Sequence, residues 1–194
     1  MQDNQGRILL IVALEAELPV LQHPAIQLLH CGVGKVNAAW RLAAAISAER
    51  PSMVVNFGTA GALRPGFSGL QEVGSVIQHD MDVSGLGFAL GETPFEPDSR
   101  EICFAESPVI CASGDRFVDD APQLQADLVD MELYPIAKIC RHAALPLRAF
   151  KYITDSADDT AAGDWQSNLK LAETAFQAEA LPIILDQLCA AQPG

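Results

Sequence analysis

Short continuous apolar runs that alternate with glycine-containing turns and helical segments constrain the fold of this chain more than any other feature. Residues 7–14, RILLIVAL, form such a run, which is typical of a strand buried on both faces of a parallel sheet. Residues 35–50 are rich in alanine and leucine at helical spacing and predict a helix. The alternation predicts an α/β fold, with a mostly parallel sheet flanked by helices, in a single domain over residues 1–194.

The same reading assigns the remaining elements. Apolar runs predict further strands at residues 25–30, 52–58, 73–83, 107–113 and 147–155. Helical spacing predicts helices at residues 131–144 and 164–191, and Pro135 is tolerated because it falls in the first turn of its helix. Loops are predicted at residues 58–63, a small-residue turn, and at residues 84–107, a long irregular segment.

The charge balance limits the partners of the chain. Its 12 basic and 25 acidic residues give a formal net charge of −13, which repels phosphate backbones and anionic lipid. The longest apolar run, residues 8–14, is too short to span a bilayer, and residues 1–7 lack the charge pattern of a signal peptide. We therefore expect a soluble, cytoplasmic protein that binds neither nucleic acid nor membranes.

The cysteines and histidines argue against a metal centre. The five cysteines are an odd number, form no CxxC pair and have no histidine nearby at zinc-ligand spacing. Buried, reduced thiols in a reducing compartment are the simplest interpretation. We expect neither a metal nor a cofactor.

Polar residues follow the predicted strands, at the edge where parallel sheets bind their ligands. Glu15 and Glu17 follow the first strand. GVGK, residues 32–35, lacks the spacing of a dinucleotide or nucleotide phosphate loop and is interpreted as a tight turn. GTAG, residues 58–61, fits either an ordinary turn or a cradle in which backbone N–H groups and the Thr59 hydroxyl bind an anion or a polarised water.

Seven stretches of the sequence occur in the same order as in one known family. Each stretch is a weak signal alone, but the set is specific. They resemble the purine nucleoside phosphorylase and nucleosidase superfamily, and within it the methylthioadenosine/S-adenosylhomocysteine nucleosidases. The stretches are ALEAEL (13–18), CGVGKVNAA (31–39), NFGTAGAL (56–63), VGSV (73–76), SGDRFV (113–118), VDMELYPIA (129–137) and ITDSAD (153–158). The resemblance implies hydrolysis of the N-glycosidic bond of a purine nucleoside, in methionine salvage, by a homodimeric enzyme.

The resemblance also implies a role for individual residues. Glu17 matches the acid that activates the attacking water, and Glu15 is its nearest rival for that position. Asp155 matches the aspartate that donates a proton to the purine N7, so that the base leaves neutral. Glu132 matches the carboxylate that accepts hydrogen bonds from the ribose hydroxyls, and Met131 the side chain that packs against the sugar.

The resemblance further implies which residues contact the purine base and which loop contacts a partner subunit. Phe117 matches an aromatic that stacks on the purine, and Val118 the neighbour whose backbone meets the base edge. Thr59 and Gly61, from the GTAG stretch, complete the expected substrate-binding residues. Relatives are dimers in which a partner loop closes the 5′ end of the site, and residues 84–107 are the candidate for that loop here.

The residues favour hydrolysis over phosphorolysis. Phosphorylases of the superfamily place one arginine before the G[ST]xG stretch and another after the first strand, whereas this chain has Asn56 and Phe57 at the first place and residues 15–17, EAE, at the second. Two carboxylates facing a phosphate would weaken its binding, and Arg64 is an unpromising substitute. The alternatives that remain open are a purine nucleoside phosphorylase, a nucleosidase for futalosine, adenosine or inosine, and a nucleoside-binding protein on the same fold.

Overall fold

The computed structural model describes residues 6–96, 98–116, 125–155 and 161–190; within them, side chains are described except at residues 155, 161–167, 189 and 190. The strands in these ranges are β1 (Ile8–Val12), β2 (Ile26–His30), β3 (Met53–Ala62), β4 (Gly69–Val73), β5 (Ser75–Gln78), β6 (Glu101–Cys103), β7 (Ile110–Ser113), β8 (Leu128–Asp130) and β9 (Leu147–Asp155). The α-helices are α1 (Lys35–Ala48), α2 (Leu133–His142), α3 (Ala161–Ala175) and α4 (Leu181–Ala190). A 3₁₀ turn occupies Ser84–Leu86, and a π-helical turn, Phe176–Ala180, joins α3 to α4.

The strands form one mixed sheet that is mostly parallel. Its successive neighbours are β2, β1, β3, β8, β7, β5 and β6, while β9 pairs with β3 and β4. The parallel pairs are β1–β2, β1–β3, β3–β9, β5–β7 and β7–β8, and the antiparallel pairs are β3–β8, β4–β9 and β5–β6. The predicted α/β fold with a mostly parallel sheet is therefore confirmed.

Both faces of β1 are buried because successive side chains of a strand point to opposite faces. Leu9 and Ile11 pack in one core cluster with Ala38 and Leu42 of α1. The alternate side chains of β1 pack in a second cluster with Phe176 of the π-helical turn and residues of α4. A helix layer on each face of the sheet explains why residues 7–14 read as a continuous apolar run rather than as an alternation.

Residues 58–63 are not the turn that their small side chains predict, because β3 continues to Ala62. Long-range pairing holds this stretch extended. Gly61 is in register with Val129 of β8 on one edge and with Asp155 of β9 on the other. The glycines therefore bring neighbouring strands and their side chains close to β3 instead of reversing the chain.

Other predictions differ from the structure mainly in their boundaries. The strand predicted at 73–83 is confined to β5, and β4 before it was not predicted. The loop predicted at 84–107 contains the 3₁₀ turn and the short strand β6, and β8 was missed altogether. Strand 107–113 begins at Ile110, and helix 131–144 is α2, with Pro135 in its first turn as expected.

The C-terminal helical segment agrees with the helix predicted at 164–191. It begins earlier, at Ala161, and the π-helical turn keeps it continuous to Ala190. Phe176 in that turn is fully buried and stacks at a tilt on Phe57 of β3, with ring centroids 4.4 Å apart. Among the helices of the described ranges, none combines the length and the hydropathy that a membrane-spanning segment requires.

Gly74 separates β4 from β5 and explains why the predicted strand is interrupted. Its N–H donates to the Val109 carbonyl at 2.9 Å, and its carbonyl accepts from the N–H groups of Phe104 and Ala105 at 2.9 and 3.2 Å. A Cβ built on Gly74 would overlap the backbone carbonyl of Ser107. The glycine is required here by the close approach of another backbone, which cannot rotate away as a side chain can.

Gly74→Ala is expected to lower the free energy of unfolding by about 2–3 kcal/mol, because the Ser107 backbone must move to make room. For a chain of this size the change corresponds to a fall in Tm of roughly 5–10 °C, measured by thermal denaturation. The matched control is Gly85→Ala, since a Cβ on Gly85 meets nothing within 4 Å. Equal Tm values for the two variants would contradict this account of Gly74.

Candidate active site

A cavity of about 260 Å³ opens at the carboxyl ends of β1, β3 and β9. This is the edge of the sheet where parallel strands bind their ligands. Its walls come from seven separate segments of the chain. The lining residues are Ala13, Leu14, Glu17, Val33, Thr59, Ala60, Gly61, Arg116, Val129, Asp130, Met131, Glu132 and Thr154. Five side chains or backbones predicted for the site are among them: Glu17, Thr59, Gly61, Met131 and Glu132.

Glu17 is buried in the cavity wall, with 4% of its surface exposed, and is held by three donors. The N–H and the hydroxyl of Thr59 each donate to Oε1 at 2.8 Å, and the N–H of Leu14 donates to Oε2 at 3.1 Å. The GTAG stretch is therefore an anion cradle, as one of its two interpretations proposed, and the anion that it holds is the carboxylate of Glu17. The three hydrogen bonds fix the Glu17 carboxylate at the cavity wall, because both of its oxygens accept from protein donors.

Glu15, the rival of Glu17, lies elsewhere. Its side chain is exposed, and it is not among the residues that line the cavity. A turn after β1, in which the Glu17 N–H donates to the Leu14 carbonyl at 3.1 Å, directs the second acid inward and leaves the first outside. The geometry favours Glu17 as the carboxylate that acts in the cavity.

Glu132 is the residue that directly precedes α2, and it lines the cavity. It is 8% exposed, and its Oε1 accepts a hydrogen bond of 2.8 Å from the N–H of Gly34. Gly34 belongs to the GVGK stretch, which is a tight turn as predicted, with positive φ at Gly32 and Gly34. One backbone donor leaves the other carboxylate oxygen available to a ligand.

A buried ion pair that includes Asp130 of the cavity wall was not predicted. Lys151 of β9 is 1% exposed, and its Nζ lies 2.7 Å from Oδ2 of Asp130 at the end of β8. The two strands flank β3, so the lysine side chain passes Gly58, where a Cβ would come within 3.4 Å of Nζ. The missing side chain of Gly58 lets the ion pair cross β3.

Asp130 also organises the start of α2. Its Oδ2 accepts hydrogen bonds from the N–H of Glu132 at 3.3 Å and of Leu133 at 2.9 Å. Its Oδ1 accepts a hydrogen bond from the Ser113 hydroxyl, which in turn accepts one from the N–H of Tyr134 at 2.9 Å. Asp130 therefore satisfies free N–H groups of the helix terminus and fixes the backbone of the neighbouring Glu132.

Three further residues were predicted for the site: Asp155, Phe117 and Val118. The structure describes only the backbone of the first and neither of the other two. Asp155 is the last residue of β9, and its backbone is in register with Gly61, which lines the cavity. Phe117 and Val118 lie outside the described residues, directly after Arg116 in the cavity wall. In the part of the chain with described side chains, no group of three acidic, histidine or cysteine residues has the arrangement of a metal site.

Residues 21–189 match the family described as the phosphorylase superfamily. The chain belongs to this superfamily. Among curated relatives, the 5′-methylthioadenosine/S-adenosylhomocysteine nucleosidase of Haemophilus influenzae is 31% identical to it, over 84% of this chain and 81% of the relative. The resemblance drawn from the motifs is thereby confirmed.

Two solved structures share the fold of this chain. The 5′-methylthioadenosine/S-adenosylhomocysteine nucleosidase of Helicobacter pylori superposes with a TM-score of 0.82 at 22% identity, covering 94% of this chain and 99% of that one. The futalosine hydrolase of Helicobacter pylori superposes equally well, with a TM-score of 0.82 at 22% identity, covering 94% and 98% of the two chains.

Sequence reasoning missed the buried ion pair of this phosphorylase-superfamily member. Asp130 stands beside the methionine–glutamate pair, and Lys151 lies in the middle of the last strand, but neither was assigned a role. A lysine inside a strand that is otherwise rich in apolar residues was the available signal, because a fully buried ammonium requires a charged partner. The partner could not be named without knowing that β8 and β9 flank the same strand.

The surroundings of Glu132 raise the pKa of its carboxyl group. Burial, together with the negative charge of Asp130, raises the pKa of Glu132 from 4.5 to about 7, although Lys151 and the Gly34 N–H act in the opposite direction. Burial alone would lower the pKa of Lys151, but Asp130 and Glu132 outweigh it and raise that pKa instead. The lysine therefore remains charged, and Glu132 titrates near neutral pH.

Glu132→Gln is expected to stabilise the unliganded protein above neutral pH. Because folding raises the pKa of Glu132, the folded state binds the extra proton between about pH 4.5 and 7, so ionisation lowers the free energy of unfolding as the pH rises through this window. Glutamine stays neutral and keeps an acceptor for the Gly34 N–H. The Tm of the variant relative to that of the wild type should therefore rise between about pH 4.5 and 7 and level off above that range, with exposed Glu15→Gln as the control. A difference that does not change with pH would contradict the shift.

Proposed function

We propose that this protein is a purine nucleosidase that hydrolyses the N-glycosidic bond of 5′-methylthioadenosine or S-adenosylhomocysteine, with water as the nucleophile. The observation that carries the proposal is the buried Glu17 carboxylate, held at 2.8 Å by Thr59 in the same cavity that Glu132 enters. A carboxylate fixed in a cavity can accept a proton from water as the water attacks the anomeric carbon. Membership of a family that contains the nucleosidases supports this chemistry.

The proposed roles follow the cavity from the sugar to the base. Glu132 accepts hydrogen bonds from the ribose hydroxyls, which only its ionised form can do with both oxygens. Met131 packs against the sugar, while Gly61 leaves room beside it. Asp155, at the end of β9, donates a proton to the purine N7 so that the base leaves as a neutral molecule.

The base would be held by residues that follow Arg116. We assign Phe117 to stacking on the purine and Val118 to the base edge, on the strength of the SGDRFV motif. Arg116, the residue that precedes them in the sequence, lines the described part of the cavity. The base end of the site therefore lies along the segment after β7.

Hydrolysis is favoured over phosphorolysis by the environment of the attacking group. Asn56 is buried and donates to the Ile11 carbonyl at 3.1 Å, and Phe57 lies in the apolar core. Arg64 forms an ion pair with Asp127 and does not line the cavity. A phosphate beside Glu17 would face a carboxylate without either arginine that phosphorylases of the superfamily use.

A second candidate substrate is futalosine, because a futalosine hydrolase superposes on this chain as well as a methylthioadenosine/S-adenosylhomocysteine nucleosidase does. Adenosine and inosine share the purine N7 and the ribose hydroxyls and would meet the same proposed contacts. The substituent at the 5′ position separates these compounds. Val33 lines the cavity, is 42% exposed and precedes α1 by two residues, and we assign the 5′ substituent to this part of the site.

The proposed function is tested by free-base release in phosphate-free buffer. Purified protein is incubated with methylthioadenosine, S-adenosylhomocysteine, futalosine, adenosine and inosine, and the products are separated by chromatography. Release of adenine from the first two at the highest kcat/KM is the expected result. Release that requires added phosphate would establish a phosphorylase, and binding without release would establish a nucleoside-binding protein.

We further propose that the chain, residues 1–194, acts as one domain in a cytoplasmic homodimer of methionine salvage that needs no cofactor. Large apolar side chains are exposed on α1 and in the 84–107 loop: Val36 at 77%, Trp40 at 64% and Leu86 at 73%. Their burial against a second copy would close the 5′ end of the cavity, which light scattering on the purified protein would test. The four cysteines whose side chains are described are free thiols, in keeping with a reducing compartment.

A further inference from the structure

Four buried charged side chains belong to the cavity wall or contact it. Glu17, Asp130 and Glu132 line the cavity and are 4%, 5% and 8% exposed. Lys151 is 1% exposed, and among the side chains that the structure describes no other lysine or arginine is buried. Three buried carboxylates therefore share one buried cation.

The ammonium group of Lys151 contacts Asp130 and lies near Glu17. Its Nζ is 2.7 Å from Oδ2 of Asp130. A Cβ built on Gly58 would lie 3.4 Å from Nζ of Lys151 and also 3.4 Å from Oε1 of Glu17, so both groups approach the same point of β3. Glu17 already accepts hydrogen bonds from three other donors. The direct partner of the ammonium group is therefore Asp130.

Asp130 connects the ammonium group to Glu132. The oxygen that contacts Nζ of Lys151 also accepts from the N–H of Leu133 at 2.9 Å and from the N–H of Glu132 at 3.3 Å. The far end of the Glu132 side chain is held separately, by the N–H of Gly34 at 2.8 Å. The position of the Asp130 carboxylate therefore fixes the backbone from which the Glu132 side chain extends.

The charge of Lys151 matters as well as its position. Asp130 and Glu132 are two residues apart and both are buried, and like charges repel strongly where water is excluded. The groups that act on Glu132 from the elements around it are Asp130 of β8, Lys151 of β9, Glu17 after β1, Cys31 after β2 and the Gly34 N–H before α1.

Two other groups near Glu132 add little charge. Cys31 is neutral near pH 7, because burial raises the pKa of its thiol to about 12. Arg116 lines the cavity, but it is exposed, so water and salt screen its charge. Lys151 is therefore the buried positive charge that offsets the carboxylates of Asp130 and Glu17.

We propose that Lys151 is a positioning residue for the sugar end of the site: its ammonium group balances Asp130, so that Glu132 meets the ribose hydroxyls as a carboxylate. This inference deepens the proposed function and rests on it. Lys151 is buried and does not line the cavity, so its effect on the sugar passes through Asp130 and Glu132.

Charge balance predicts effects of opposite sign for the two partners. Lys151→Met removes the positive charge, which raises the pKa of Glu132 further and leaves its carboxyl group protonated at neutral pH. Asp130→Asn removes the negative charge and lowers that pKa, while asparagine still has an oxygen for the Leu133 N–H. The double variant loses both charges, so its Glu132 should titrate close to where it does in the wild type.

The test measures the Kd of 5-methylthioribose by calorimetry as a function of pH. We expect Lys151→Met to raise the Kd about tenfold near pH 7 and to recover to within about threefold of the wild type near pH 9. Asp130→Asn should lower the Kd about fivefold near pH 5.5, and the double variant should stay within about threefold throughout. The matched control is Lys170→Met, which breaks an exposed ion pair with Glu173 on α3 and should leave the Kd unchanged.

A purely structural role for the ion pair would give a different pattern. Weakening of the same size at every pH, or weakening in all three variants alike, would overturn the inference. A buried carboxylate without its cation destabilises a protein strongly. If Lys151→Met does not fold, the Asp130→Asn and double variants decide, and binding by Asp130→Asn no tighter than wild type near pH 5.5 overturns the inference.

The proposed function is judged separately, by base release. Base release by a wild type that binds no 5-methylthioribose would overturn the role of Lys151 and leave the proposed function standing. Binding of 5-methylthioribose without base release from any nucleoside would overturn the proposed function, and the pH comparison would still judge Lys151. A wild type that does neither would overturn both.

Discussion

Asp155→Asn is expected to lower kcat for methylthioadenosine by about 10²–10⁴-fold, the usual size of general acid catalysis by one group. The leaving purine carries the electrons of the broken N-glycosidic bond, and protonation at N7 neutralises it as it departs. Asparagine has the shape of aspartate and can still donate an N–H, but it has no acidic proton to transfer. KM should therefore change much less than kcat, which steady-state kinetics of adenine release would measure.

Asp186→Asn is the control for this variant, because Asp186 lies on the exposed side of α4. It makes the same chemical change away from β9 and should retain wild-type kcat and KM. Activity of Asp155→Asn equal to that of the wild type would show that the base leaves without help from Asp155.

Glu17→Gln is the second substitution with a large expected effect. Glutamine cannot take up the proton of the attacking water, so kcat should fall about 10²–10⁴-fold. Its amide can still accept from both Thr59 donors through one oxygen, but its NH₂ group then faces the Leu14 N–H, which becomes unsatisfied. The accompanying loss of stability should be about 1 kcal/mol, so a folded but nearly inactive protein is expected.

The matched control is Glu15→Gln, two residues earlier in the same turn. Glu15 is exposed and does not line the cavity, so its substitution should leave kcat and Tm unchanged. A large loss of activity in Glu15→Gln, with normal activity in Glu17→Gln, would reverse the assignment of the water-activating carboxylate.

The parts of the fold that could be predicted are those whose signal is local. The continuous apolar run of β1 and the helical spacing of the alanine-rich α1 are each visible within the segment itself, and both were found. The three-residue strands β6 and β8 are too short to show a period. The turn predicted at residues 58–63 is wrong because small side chains are typical of a turn, whereas pairing with β8 and β9 keeps this stretch extended.

The candidate site also has a part that could be predicted from local sequence and a part that could not. Glu17 and Glu132 lie in recognisable motifs, and the structure places both in one cavity. The contacts that hold them come from elsewhere in the chain: Thr59 for the first and Gly34 for the second. The Lys151–Asp130 ion pair depends on two strands lying on either side of Gly58, which is a property of the assembled sheet and not of either segment.

The central claim is that water, and not phosphate, attacks the sugar. The most direct measurement is the identity of the sugar product formed from methylthioadenosine in phosphate buffer, determined by mass spectrometry. The account predicts free 5-methylthioribose, formed at the same rate with and without phosphate. Accumulation of 5-methylthioribose 1-phosphate would contradict it and would show that phosphate binds beside Glu17 despite the carboxylate there.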